Sequence, residues 1–357
     1  MLLQSINNKT QRRGSVHFLG PVRFCDTNFC DLSVEIGPRH RQILPSRRIV
    51  LRALFISLSE SRWLRGVAER SSLGKRISGR FVAGTKVEDA LQVAQALNLA
   101  GLSVSVDNLG ENVTAPEEAR QSVELYRQLL SQIAASGLNA NVSLKLTHMG
   151  LDVDPKLAYD NVRTLVAQAA AVEPRNFVRV DMEGSAYTQC TLDFVHALHR
   201  IPENKGVVGA VIQSYMRRSE DDVARLLQDG IRIRLCKGAY KEPAEIAFQA
   251  KAEVDANYIK LMKILLKSGI YHGLATHDER IILEAKAFAT RENIAHDAFE
   301  FQMLYGIRRD LQQSLVRQGW HMRVYVPFGT EWYPYLMRRL AERPANVAFV
   351  VRNLFRQ

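Results

Sequence analysis

From Gly101 onward the chain alternates between two patterns. Short apolar, β-branched runs are each followed by a polar junction and then by a stretch with apolar residues at three-to-four spacing. The runs are LSVSVD (102–107), VSLKL (142–146), FVRVDM (177–182), VGAVIQ (208–213), IRIRLCK (231–237), GLATH (273–277), FEFQML (299–304) and MRVYVPF (322–328). Helical periodicity fills 115–136, 155–171, 188–199, 218–229, 242–268, 278–290, 308–318 and 331–343. This is an α/β pattern, and eight strand–helix units over about 257 residues predict a parallel (β/α)8 barrel spanning 101–357. A doubly wound open sheet is the competing architecture. The unit count, and the lack of a glycine-rich dinucleotide loop after the first run, favour the barrel.

Upstream the pattern changes twice. Residues 49–100 read as N-terminal helices: LRALFISLSESRWLRGVAER, a short basic helix, and TKVEDALQVAQALNLAG. Thr85 is the expected N-cap of that last helix, with Glu88 completing a capping box and Gly101 ending it. Residues 1–48 show neither period and read as a basic, poorly ordered tail. They hold no compact apolar h-region of a secretory signal, while their arginines leave open a transit peptide or an over-long start.

Composition adds little to this picture and removes several classes. The 357 residues are 46% hydrophobic and 24% charged, with no apolar run long enough to span a membrane. Four cysteines (Cys25, Cys30, Cys190, Cys236) lack metal spacing and are too sparse for a disulfide framework, which favours a reducing compartment. The net charge of +11 is unevenly spread: residues 1–100 carry 16 Lys/Arg against 7 Asp/Glu, and the rest carry 32 against 30. A nearly neutral barrel behind a basic entry region argues against a nucleic-acid partner.

Chemistry in such a barrel sits at the C-terminal ends of the strands. Here those ends are polar: Asp107, Lys145, Asp181, Gln213, Arg234 with Lys237, Thr276–His277, Gln302 and Tyr325. Each residue has a plain packing explanation. On that explanation Lys145 is an ion-paired strand lysine, His277 a structural histidine, Gln213 and Gln302 satisfied core amides, and Arg232 and Arg234 outward-facing. Their convergence on one rim is harder to explain by packing, because every buried polar group needs a partner. No H-E-x-x-H motif or nucleophile elbow supports metal hydrolysis or acyl transfer. Two chemistries remain open at this level. Lys145 or Lys237 could form a Schiff base. Alternatively, KGAY (Lys237 to Tyr240) with Arg234, Gln213, Thr276 and His277 could hold a large anionic cofactor.

The last helix, in TEWYPYLMRRLAER, places Tyr335, Arg338, Arg339 and Glu342 on one strip about 100° wide. Side by side, the two arginines favour an anion across them. Thr330 is the expected cap, and Pro334 falls in the first turn, where a missing donor costs little.

The runs VSLKL, VRVDMEG, VIQSYMRR, IRLCKGAYKEP, LATHD, FEFQMLYG and YVPFGTEWYPYLMRRLAER together resemble the proline dehydrogenase family, especially its short single-function bacterial form. The resemblance implies a distorted (β/α)8 TIM-type barrel with non-covalent FAD. It implies oxidation of L-proline to Δ1-pyrroline-5-carboxylate, electrons passed to a membrane quinone, and functional coupling to pyrroline-5-carboxylate dehydrogenase. It also implies a cytoplasmic enzyme with peripheral contact at the inner membrane, for which the helices of 49–80 are candidates. Carried over by residue, Arg338 and Arg339 clasp the proline carboxylate and Lys145 lies beside it. Leu235, Tyr325 and Tyr335 box the ring, Glu342 supports the arginines, and Glu111 pairs with Arg339 to close the site. Asp181 and Arg234 are the catalytic pair at the flavin, with Arg234 at its redox end. Met182, Gln213, Lys237, Gly238, Ala239, Tyr240, Thr276 and His277 are the other cofactor contacts. Tyr325 is the position associated with proline rather than hydroxyproline. No metal is implied.

Overall fold

The computed structural model describes residues 62–71, 74, 76, 78–110 and 112–342. The expected tail (1–48) and the start of the helical segment lie outside the described residues. Eight parallel strands close on themselves in chain order. They are β1 (Ser103–Asn108), β2 (Ala140–Leu144), β3 (Val178–Val180), β4 (Val208–Gln213), β5 (Arg232–Cys236), β6 (His272–Ala275), β7 (Phe299–Leu304) and β8 (His321–Phe328). The seam pairs β1 with β8, Val104 beside Val324 and Val106 beside Val326. Helices α1 (Arg62–Arg70) and α2 (Val87–Leu99) precede the barrel. The strands alternate with α3 (Pro116–Ala135), α4 (Pro155–Ala170), α5 (Ser185–His199), α6 (Ser219–Gln228), α7 (Lys251–Lys267), α8 (Glu279–Arg291) and α9 (Arg309–Arg317), and α10 (Trp332–Glu342) follows β8.

Strand parity sorts the core into two unlike layers. Val104, Val106, Val142, Leu144, Val178, Val180, Ile233, Leu235, Phe301 and Val324 belong to one apolar cluster with helix residues such as Leu129, Leu165, Leu198 and Leu261. These positions face outward, toward the helices. The alternate positions face one another across the barrel: the Ser105 and Ser143 hydroxyls are 3.0 Å apart, and Arg234 reaches both from the opposite side. Barrels of this type are ordinarily filled with branched aliphatic side chains. In this one the aliphatic residues are on the outside of the sheet and the filling is polar.

Several boundaries differ from the sequence pattern. β2 runs two residues earlier than expected, because its pairing with β1 sets Val104 beside Ala140 and Asp107 beside Ser143. Lys145 therefore stands just past the strand end, before the 3₁₀ turn Thr147–Met149. Helix α7 begins at Lys251 rather than 242, since Pro243 opens a separate turn whose carbonyl accepts from the Ile246 and Ala247 amides. At α2 it is Asp89, not Glu88, that reaches back, accepting from the Thr85 and Lys86 amides. Arg232 is not outward either: its guanidinium lies between the Phe177 and Tyr271 rings at the N-terminal end of the barrel.

Helix α10 is seated by a small apolar cluster of its own, in which Trp332, Tyr333, Leu336 and Met337 pack with Phe81, Val82 and Leu109. Arg65 of α1 grips Glu331, just before α10, with two hydrogen bonds of 2.8 and 2.6 Å. Among the described residues no helix is long and apolar enough to cross a membrane.

Candidate active site

The polar filling forms one continuous chain of contacts. At its base, Arg323 Nε donates to Glu300 Oε1 at 2.7 Å, and the Gln302 amide donates to the same oxygen at 2.6 Å. Gln302 Oε1 accepts from Arg234 Nε at 2.5 Å. Arg234, almost wholly buried, also donates to Ser105 Oγ, Ser143 Oγ and, at 2.8 Å, Asp181 Oδ1. The Tyr325 hydroxyl donates to the other Asp181 oxygen at 3.0 Å, and the Arg234 guanidinium lies 5.2 Å from the Tyr325 ring centroid. Burial works against the Glu300 charge, but Arg323 and the Gln302 amide outweigh it and hold the carboxyl at about 2. The Tyr325 phenol is pushed well above its ordinary value by burial and by the neighbouring Asp107 and Asp181.

Above this chain, at the C-terminal end of the strands, opens a cavity of about 450 Å³. On one side Lys145 Nζ stands 3.5 Å from Asp107 Oδ2. Burial raises the Asp107 carboxyl above its usual range, and Lys145 opposes that shift without cancelling it. Tyr325 and Tyr335 border the same region. On the other side lies the loop after β5. Lys237 is held between Asp255 at 2.6 Å and Asp278 at 3.0 Å, with Lys251 also bound to Asp255. Gly238 has φ of 108°, and a Cβ there would sit 2.2 Å from the Tyr215 ring, so both the left-handed backbone and the tyrosine packed against it require glycine at this point of the cavity wall. Thr276 Oγ1 accepts from the Asp278 amide, and His277 Nε2 accepts from the Leu304 amide at 3.0 Å, which fixes the His277 tautomer. Gln213 Nε2 donates to the Glu183 carbonyl.

The cavity wall thus gathers Lys145, Asp181, Met182, Gln213, Arg234, Lys237, Gly238, Ala239, Tyr240, Thr276, His277, Tyr325 and Tyr335. One expected residue is not on it. Leu235 has the opposite strand parity from Arg234, is fully buried among the helix-facing residues, and offers its carbonyl to Tyr258. Glu111 lies outside the described residues. So do the side chains of Arg338, Arg339 and Glu342, whose backbone continues α10 beyond Tyr335.

Sequence reading puts Asp107 and Gln302 on the rim without a role, and it overlooks Ser105, Ser143, Glu300, Asp255 and Asp278. For the strand residues a signal existed. Ser105 and Asp107, or Glu300 and Gln302, are two apart in otherwise apolar strands, which is the mark of one polar face. Asp255 and Asp278 carried no comparable signal, because their positions depend on how α7 and α8 dock.

Comparison with known proteins agrees with this geometry. The sequence profile of the family described as Proline dehydrogenase matches residues 90–352. The chain is 41% identical over 307 residues to Proline dehydrogenase 2 of Bacillus subtilis (strain 168), covering 86% of this chain and 99% of that one. It is 42% identical over 284 residues to Proline dehydrogenase of Deinococcus radiodurans, covering 78% and 90%. Among solved structures it resembles proline utilization A (PutA) from Bdellovibrio bacteriovorus inactivated by N-propargylglycine. That TM-score is 0.74 at 27% identity, covering 86% of this chain and 37% of the longer PutA chain. With an eight-stranded parallel barrel, a polar filling that opens on a cavity, and family similarity over most of its length, this chain belongs to the proline dehydrogenase family, oxidoreductases of proline catabolism.

Proposed function

We propose that the protein oxidises L-proline to Δ1-pyrroline-5-carboxylate with FAD bound non-covalently in the barrel mouth. The observation that carries this reading is the cluster of buried Arg234 with Asp181 and Tyr325 on the cavity wall of a chain with this family membership. The residues present fit the cofactor. A buried cation, Arg234, faces the cavity, and a second, Lys237, lines it together with the small residues Gly238 and Ala239. When bound, the flavin supplies the acceptor for the hydride that leaves proline C5. Arg234 stands where negative charge develops, already oriented by four partners, so that little reorganisation accompanies the reaction. Met182, Gln213, Tyr240, Thr276 and His277 would complete the cofactor wall, and Lys237 would supply a cation for its phosphates.

At the other end Lys145, with Arg338 and Arg339 of α10, receives the substrate carboxylate, and Tyr325 and Tyr335 enclose the ring. Glu342 supports the arginines, and Glu111 closes over them. These groups hold C5 in one orientation and exclude water, which is what positioning contributes to a transfer of this kind. Oxidation removes a hydride from C5 and a proton from the amine, leaving the C=N bond of the product. The electrons then pass to a quinone at a membrane. Trp63 and Val67, one helical turn apart on α1, are 74% and 49% exposed, with the exposed Arg70 a further turn along the same face, as a peripheral contact requires. We assign the barrel to 101–357, with 49–100 as its helical approach and 1–48 as a basic tail. The test is spectroscopic: purified protein is yellow, and anaerobic L-proline bleaches its flavin absorbance. Flavin-loaded protein that keeps its colour with excess proline overturns the reading.

A further inference from the structure

Glu183 is two residues beyond Asp181 and adjoins Met182, yet it is not part of the cavity wall. It is 5% exposed, and its carboxylate is used on the far side of the loop. Oε2 accepts from the Thr147 hydroxyl at 2.6 Å, and Oε1 accepts from the Thr147 amide at 3.2 Å. Thr147 is fully buried and opens the 3₁₀ turn that begins two residues after Lys145. The Lys145 carbonyl accepts from the Met149 amide of the same turn, and the Thr147 carbonyl accepts from Val113 in the loop after β1. The Glu183 carbonyl, in turn, holds the Gln213 amide at 2.9 Å. One residue therefore ties together the ends of β2, β3 and β4.

We propose that Glu183 is a positioning residue for Lys145: its carboxylate clamps the turn that carries the lysine and so sets where the ammonium stands for a substrate carboxylate. The inference rests on the proline reading above and deepens it. Lys145 stands just past β2, and its ammonium lies 3.5 Å from Asp107 at the cavity. The turn that fixes its backbone sets the point from which that side chain reaches the cavity. A lysine that binds the carboxylate equally in ground and transition states contributes to KM rather than to kcat. The clamp should act on the same parameter.

The experiment uses the full-length, flavin-loaded protein with L-proline and a soluble electron acceptor. Thr147→Val removes the hydroxyl but keeps size and shape, and Glu183→Gln keeps size but not charge. Each raises KM for proline about tenfold, the scale of one hydrogen bond to a charged group. In both, kcat and the flavin-to-protein ratio stay near wild type, while Tm falls by a few degrees because a buried carboxylate loses its donor or its charge. Thr147→Ser, which restores the hydroxyl, recovers KM relative to Thr147→Val. Combining Thr147→Val with Lys145→Met raises KM no further than Lys145→Met alone, because both act through one group. If KM is unchanged in both single variants, or flavin content and Tm fall while KM holds, Glu183 is merely a packing residue and the assignment is overturned. A wild-type protein that does not oxidise proline overturns the functional reading, and this one with it.

Discussion

Tyr325 and Arg234 share one carboxylate: the phenol donates to Oδ2 of Asp181 at 3.0 Å and the guanidinium to Oδ1 at 2.8 Å. Neither β3, β5 nor β8 orients its side chain alone, and Asp181 is the point where the three are registered. Replacing Tyr325 by Phe keeps the ring and removes the donor. We expect kcat/KM for proline to fall about three- to tenfold with unchanged flavin content, measured by steady-state kinetics. A value equal to wild type would mean that Asp181 is held by Arg234 alone.

Arg234 is the costlier loss. Arg234→Met leaves Asp181, Gln302, Ser105 and Ser143 each short of a donor inside the barrel. Breaking one side of a buried pair destabilises by about 3–5 kcal/mol. Urea unfolding should show that loss, and the rate of flavin reduction by proline should fall by about a hundredfold or more. A variant as stable as wild type would show that the barrel repacks around the missing cation.

Much of this was legible in the sequence, and the reason is physical. Eight apolar runs at regular spacing leave few folds open, and a polar residue near the end of nearly every run marks the working face. The polar filling was harder to see, because Arg232 and Arg234 have the same parity and either face was open to them. Two strand residues apart on the same face can meet different neighbours: Arg232 finds two aromatic rings, while Arg234 finds four polar groups. The error at Leu235 has the same origin. Its place depends on a register that neighbouring strands dictate, and local pattern carries no record of that. Lys145 moved from within a strand to just beyond it for the same cause.

Buried histidines make stability depend on pH: His199 is lowered by burial, and two others are lowered further. Burial, with Lys145 nearby, lowers His148 to about 4, and burial with Arg179 and Arg232 lowers His272 to about 3. Both folded values lie below the unfolded value of about 6.5, so the unfolded chain binds protons first. Their effect is absent above about pH 7, and stability is lost as the pH falls from about 6.5 toward 4. Each should cost on the order of 1–2 kcal/mol at pH 5. Urea unfolding at pH 7.5 and 5.0 measures the sum, and His148→Gln should flatten the dependence. A slope unaltered by that change would place the titration elsewhere.

Lys237 is divided between two carboxylates, Asp255 and Asp278. Both acids repel a phosphate brought to that lysine. Asp278 additionally caps α8 through the Arg280 amide, whereas Asp255 is free of that duty. Asp255→Asn should therefore tighten FAD binding several-fold, read by titrating flavin into the apoprotein at low ionic strength. Lys237→Met should weaken it by at least as much. Weaker binding in Asp255→Asn would mean that the carboxylate steers the lysine rather than competing for it.

The contacts that run from Arg323 through Glu300, Gln302 and Arg234 to Asp181 leave this barrel little freedom to evolve stability apart from activity. In a barrel filled with aliphatic side chains, the lower layers can drift in sequence while the rim changes chemistry. Here Asp181 at the rim is paired with Arg234, which is joined through Gln302 and Glu300 to Arg323 at the floor. A lineage under pressure for heat resistance would gain little from enlarging aliphatic residues inside the barrel. Its room for change lies outside the sheet, where the Val, Leu and Phe of the strands meet the helices.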